Sequence, residues 1–198
     1  MKKWLIPVLI IAVLGIVIYS MTVGVNNTAV ELEENAKTAW SNVESSYQRR
    51  NDLIGNLVNT VQGAADFERG TLTEVVEARS RATSVNVNAE NLTEDQLRQF
   101  QEAQGEVSSA LSRLLVSVER YPQLQSNQNF LNLQSQLEGT ENRINVARNR
   151  YNEAVNAFNV FIRKFPNNIV AGWFGFDPMA RYEADAGAED APDVEFSF

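Results

Sequence analysis

Apolar and polar residues alternate along this chain in two different ways. From Trp4 to Val25 no charged residue interrupts an apolar run, and the next charge after Lys3 is Glu31. That run is about 22 residues long, enough for one helix to cross a ~30 Å hydrocarbon core. Beyond it, apolar residues recur at steps of three and four, the spacing of a helix that buries one stripe. The first such helix is predicted over Asn27–Ala65, with a heptad-like seam of Leu32, Ala36, Trp40, Val43, Tyr47, Ile54, Leu57, Val61 and Ala64. Arg50 occupies a gap in that seam. Asn27 is a plausible cap, and Glu31, Glu33 and Glu34 follow near the positive helix end. Gly24 is the only weak point between the two regimes, so a single helix from about residue 4 to 65, roughly 90 Å long, is expected.

Three further helices complete the pattern. A short one over Phe67–Val85 points Leu72, Val75, Val76 and Ala82 inward. The next begins after Thr93, whose Gln96 three residues on has the form of a capping box. Its seam is Leu97, Phe100, Gln104, Val107, Leu111, Leu114, Val118 and Tyr121, and Pro122 ends it. The last runs over Asn127–Phe165, with Phe130, Leu133, Leu137, Thr140, Ile144, Ala147, Tyr151, Val155, Phe158 and Ile162 on one side and Pro166 at its end. Nothing alternates with period two. The expected fold is all-α, an N-terminal transmembrane helix continuing into an elongated antiparallel four-helix bundle. Its divisions are a cytoplasmic tip and anchor at 1–26, a bundle at 27–178 and an acidic disordered tail at 179–198.

Within the anchor, Trp4 and Tyr19 suit the two membrane interfaces, Pro7 sits in the first turns where its missing N–H costs little, and Gly15 lies inside the span. A cleaved signal peptide would have a shorter apolar core and an Ala-x-Ala-like site, and the best site here is the weak Thr22-Val23-Gly24. Lys2 and Lys3 flank one end, while all 25 acidic residues lie beyond the other. The positive-inside rule therefore places the N-terminus in the cytoplasm and the bundle on the far side of the membrane.

Composition narrows the chemistry. The chain has 198 residues, 44% of them hydrophobic, and a net charge of −8. Such a charge opposes nucleic-acid binding. It has neither cysteine nor histidine, which removes thiolate chemistry and the commonest general base and metal ligand. No phosphate-binding glycine loop and no nucleophile elbow occurs. No enzyme activity, cofactor or metal is expected.

Several stretches carry a resemblance. They are W-x-x-V-x-x-x-Y-x-R-R-x-D-L-I-x-N-L-V from Trp40 to Val58, "VVEARS", "VERYPQL", "FLNLQSQLEGTENRI", and Y-N-x-x-V-x-x-F-N-x-x-I-R-x-F-P-x-N-x-x-A from Tyr151 to Ala171, followed by "GWFGF". In this order they resemble the LemA family over most of residues 27–178. The resemblance implies a single-pass membrane protein with a small helical ectodomain and no established catalytic activity; one relative takes part in building the magnetosome membrane.

Four features stand out as candidate sites. Asn142, Asn145, Asn149, Asn152, Asn156 and Asn159 form a continuous stripe beside the apolar seam. Asparagine costs about 0.6 kcal/mol per helical position relative to alanine, so the stripe asks for a reason. It is a solvated face, a hydrogen-bonded contact with a neighbouring helix, or a contact between copies, with Asn42, Asn56 and Asn59 as potential partners. At "RRND", Arg49 is spaced to pair with Asp52 while Arg50 sits on the seam as a snorkelling side chain, a buried ionic layer or, remotely, an anion site. "FPNNIVAGWFGFDP" reads as a membrane-proximal loop. There Trp173, Phe174 and Phe176 either cover the base of the bundle against Ala36 and Trp40 or, with Arg163, Lys164, Phe165, Pro166 and Arg181 nearby, dip into the membrane interface. The acidic tail lacks the spaced ligands of a calcium loop, and "EFSF" at its end is a frayed end or a short recognition peptide.

The function expected from these features is a membrane-anchored, non-enzymatic scaffold or interaction protein. Its partners would be the lipid bilayer, further copies in a homo-oligomer, and an envelope protein. The alternative is an adaptor or regulator that binds an envelope enzyme or sensor through the helical ectodomain.

Overall fold

The computed structural model describes residues 4–63, 68–85, 87 and 92–182. They form α1 (Leu5–Gln62), α2 (Arg69–Ser84), α3 (Glu94–Val118), α4 (Pro122–Gln125), α5 (Gln128–Arg163) and α6 (Asn167–Phe174). Among the described residues there is no strand, so the fold is all-α.

Helix α1 has 58 residues without interruption, a length of about 87 Å. Gly24 does not break it. Residues Leu5 to Ser20 are exposed along their whole length, and an 18-residue window within α1 has a mean hydropathy of 2.6. An apolar surface of this kind with no protein cover is long enough to cross a membrane. Cover begins at Thr22, Val25 and Asn26 and is complete at Ala29.

The buried residues give the chain direction. Ala29 clusters with Phe158 and Ile162; Ala36, Trp40, Val43 and Tyr47 cluster with Ile144, Tyr151 and Val155; Leu53 to Val61 cluster with Phe130 and Leu137. As numbers rise along α1 they fall along α5, so the two lie antiparallel. Helices α2 and α3 form a second antiparallel pair, marked by Glu68–Arg120, Glu74–Arg113 and Arg81–Glu106 ion pairs. All three are exposed and each contributes little stability; their value here is to fix the register. Helix α5 returns to the end where α1 emerges from its apolar run.

Some inward positions differ from the expected seams. Val76 is exposed, and Ala78 takes its place in the core. Leu32, Tyr121 and Leu133 are half-buried. Ala64 and Phe67 lie outside the described residues. The expected capping box forms, with the Thr93 hydroxyl accepting from the Gln96 N–H and the Thr93 N–H donating to Gln96 Oε1, both at 3.2 Å. Thr93→Ala should cost about 1 kcal/mol, read as a lower thermal midpoint by circular dichroism of the detergent-solubilised chain, and Thr93→Ser should recover most of it.

Residues 165–178, expected as a loop, contain the two-turn helix α6. Its Val170 and Ala171 are buried, and Gly175 stops it with φ 75°. That left-handed conformation favours glycine and is a common helix terminator. After Gly175 the chain runs as an irregular strap to Tyr182.

Candidate functional site

The strap explains the asparagine stripe. Asn159 Nδ2 donates to the Met179 carbonyl and Asn159 Oδ1 accepts from the Met179 N–H, both at 2.9 Å. Asn152 repeats the arrangement on Tyr182, donating at 3.1 Å and accepting at 2.9 Å. Between them Asn156 Oδ1 accepts from Arg181 Nη1 at 3.2 Å. A primary amide has a donor and an acceptor side by side, as a peptide group does. Two asparagines at this helix spacing therefore hold an extended chain as a neighbouring strand would. The lower half of the stripe is bonded to the chain's own strap, and Asn142, Asn145 and Asn149 remain exposed. The start of the predicted disordered tail is corrected accordingly: Ala180 and Tyr182 are buried and Met179 is half-buried. Residues 183–198 lie outside the described residues.

What the strap covers is aromatic. Trp40, fully buried, meets Phe100 and Tyr151 edge-on at 5.5 and 5.3 Å and stacks with Tyr182 at 6.0 Å. The Tyr151 hydroxyl donates to the Ala180 carbonyl at 2.8 Å, and the Arg148 guanidinium lies 4.7 Å from the Tyr182 ring. Burial pushes the hydroxyl pKa of Tyr47, Tyr151 and Tyr182 up, so all three stay neutral. Their rings pack in one aromatic cluster, and the Tyr151 hydroxyl ties the strap to α5.

Arg50 is 2% exposed and crosses the core between helices. Its Nη1 donates to Ser108 Oγ and to Glu141 Oε1, each at 3.0 Å, and its Nη2 to the Gln104 carbonyl at 3.2 Å and to Gln104 Oε1. The guanidinium also lies 4.9 Å from the Tyr47 ring centroid. The expected local pairing is corrected: among the described residues Arg49 makes no ion pair with Asp52, and both are exposed. A buried cation must be matched by acceptors, and the matching carboxylate sits on α5, 91 residues away.

The foot of the rod is the third feature. Phe176 packs on Phe158 at 6.2 Å and joins the cluster of Ala29, Phe158, Ile162 and Ala171. The expected cover of Ala36 and Trp40 by the loop aromatics is thus corrected, since Tyr182 performs it. Trp173 and Phe174 face outward, as does Phe165, beside exposed Arg163 and Lys164 and half-buried Pro166.

On another flank, α1 and α5 leave an open groove of about 710 Å³ whose lining includes Asn42, Asn142, Arg49, Arg143, Val146 and Arg150. Small residues at Ala39 and Ala147 leave the trough between the two helices. Among the described residues none of its three arginines forms an ion pair, and no group of acidic residues is placed to hold a metal ion.

Comparison with known proteins agrees with this architecture. Residues 39–196 match the sequence model described as the LemA family. Magnetosome protein MamQ 2 of Paramagnetospirillum magneticum is 29% identical over 93% of this chain and 74% of its own length. Magnetosome protein MamQ of Magnetospirillum gryphiswaldense is 28% identical over the same shares. Protein LemA of Metamycoplasma hominis is 23% identical over 92% of this chain and 80% of its own. Together with the bare apolar length of α1, these relatives indicate a membrane-associated protein.

Proposed function

The chain belongs to the LemA family, and on that premise we propose that it is a membrane-anchored, non-enzymatic scaffold that projects a stiff helical rod from the bacterial inner membrane and associates with copies of itself. The observation that carries this reading is the continuity of α1. One helix is both the exposed apolar span and the core of the rod, so whatever the rod binds is held at a fixed distance from the bilayer. Lys2 and Lys3 favour a cytoplasmic N-terminus, with the rod in the periplasm or its equivalent. Relatives named for the magnetosome support a role in organising membrane.

The lateral contact is assigned to the groove between α1 and α5. It brings Asn42 and Asn142 to one face, and amides there can bridge a second helix by offering a donor and an acceptor side by side. Native mass measurement in mild detergent tests it. The intact chain is expected as a multiple of 22.2 kDa, and Asn42→Lys with Asn142→Lys should reduce it to the single-chain mass. A monomer at every concentration tested would refute self-assembly.

The same groove supports an adaptor as the second reading, because Arg49, Arg143 and Arg150 line it in an otherwise acidic protein. That reading fits a partner presenting carboxylates. A stable one-to-one complex recovered by crosslinking through the groove would favour it over the homo-oligomer.

A further inference from the structure

We propose that α6 is an interfacial seat, whose exposed face rests among the lipid headgroups of the leaflet from which α1 emerges. The proposal rests on the anchor reading and deepens it. Phe165, Ile169, Trp173 and Phe174 are 81%, 45%, 70% and 54% exposed. Ile169 and Trp173 are four residues apart within α6, which aligns them along one side of it, and Phe165 is exposed at its entry. The opposite side, Val170 and Ala171, is buried against the rod.

Position supplies the partner. Ala171 clusters with Ala29 of α1, and Ala29 is four residues past Val25, the last of the uncharged run. At 1.5 Å per residue that is about 6 Å along the axis. The headgroup layer is itself about 5–7 Å thick on each side of the hydrocarbon core. The aromatic ridge therefore lies at headgroup depth, where tryptophan and phenylalanine are favoured. Charge agrees. From Ala154 to Phe176 there is no acidic residue, and the only charges are Arg163 and Lys164, both exposed. Juxtamembrane cations of this kind are attracted to anionic headgroups. The seat gives the rod a second attachment beside its span, which restrains its rotation and tilt and holds the α1–α5 groove toward one side.

The chain has no cysteine, so single labels can be placed in the full-length protein. Spin labels at Ile169→Cys, Trp173→Cys, Val116→Cys and Ile11→Cys would be read in vesicles of zwitterionic and anionic phospholipid by collision with oxygen and with a water-soluble nickel chelate. All four positions are exposed, so the labels do not disturb the core. Labels at 169 and 173 are expected to show nickel accessibility about threefold or more below that at 116, with raised oxygen accessibility and a depth between the water phase and residue 11. Equal nickel access at 169, 173 and 116, with residue 11 in the oxygen-rich core, would overturn the seat and leave the anchor standing. Shielding from both quenchers would also overturn it, because it would mean a protein partner. Nickel access at residue 11 would refute the anchor itself.

Discussion

Arg50→Ala is expected to lower the stability of the rod by about 3–5 kcal/mol, a large share of the roughly 5–15 kcal/mol that holds an ordinary domain folded. The side chain is almost wholly buried, and its two terminal nitrogens serve Ser108, Glu141 and both oxygens of Gln104. Truncation leaves a long empty channel and a buried Gln104 amide without its donor. Glu141→Ala should cost less, about 1–2 kcal/mol, because Glu141 is 42% exposed and water screens the pair from that side. Arg50→Met separates charge from volume. Methionine refills the space, so the remaining loss is that of the unpaired Gln104, about 1–3 kcal/mol. Adding Gln104→Leu should restore most of it, since apolar replacement of a buried polar network is often nearly neutral. Thermal and urea unfolding by circular dichroism in detergent, taken through the full set, checks the ordering. If Arg50→Ala unfolds with the wild-type midpoint, the buried ionic layer is not structural.

The Arg50 network also separates what a one-dimensional pattern encodes from what it does not. The seam of α1 marked position 50 as the anomaly because a basic residue fell where a leucine was due. Local spacing then offered only Asp52 to Arg49 as a partner. The true acceptors lie on α3 and α5, and nothing local encodes which carboxylate a buried guanidinium will meet. Helix existence was legible wherever several turns repeated one pattern, as in α1, α3 and α5. The cap at Thr93 set the start of α3 well, but Pro122, expected to end that helix, instead opens the short α4, and α3 already stops at Val118. Helix α6 escaped because two turns are too few to show a period, and Gly172 and Gly175 look like loop punctuation until Gly175 is found to be the helix stop. The strap escaped for a related reason. Burial of Ala180 and Tyr182 with Arg181 exposed is a period of two, but three residues of it beside an acidic stretch carry no signal. The asparagine stripe was the one anomaly nearby, and the partners its spacing offered were solvent, a neighbouring helix or another copy, not an extended segment of the same chain.

That stripe yields the second large effect. Asn152→Ala with Asn159→Ala should destabilise the rod by about 2 kcal/mol, and a chain ending at Pro178 should lose more, about 3 kcal/mol or above. The double substitution removes four hydrogen bonds to the backbone of Met179 and Tyr182. At about 0.5–1.5 kcal/mol each, partly exposed, they are worth roughly 3 kcal/mol. Against this, two alanines return about 1.2 kcal/mol of helix propensity, and the loss still wins. Ending the chain at Pro178 also strips the Tyr182 ring from Trp40, and a buried tyrosine contributes a few kcal/mol by area. Asn145→Ala with Asn149→Ala is the control. Both positions are exposed, so the same chemistry should be neutral or slightly stabilising there. The chain has three tryptophans, and in a Trp4→Phe, Trp173→Phe background only Trp40 reports. Loosening the strap should shift its emission to longer wavelength before the rod unfolds, whereas the control should leave it unchanged. If both asparagine pairs behave alike, the amides at 152 and 159 do not clamp the strap, and the cover over Trp40 is held by the aromatic contacts alone.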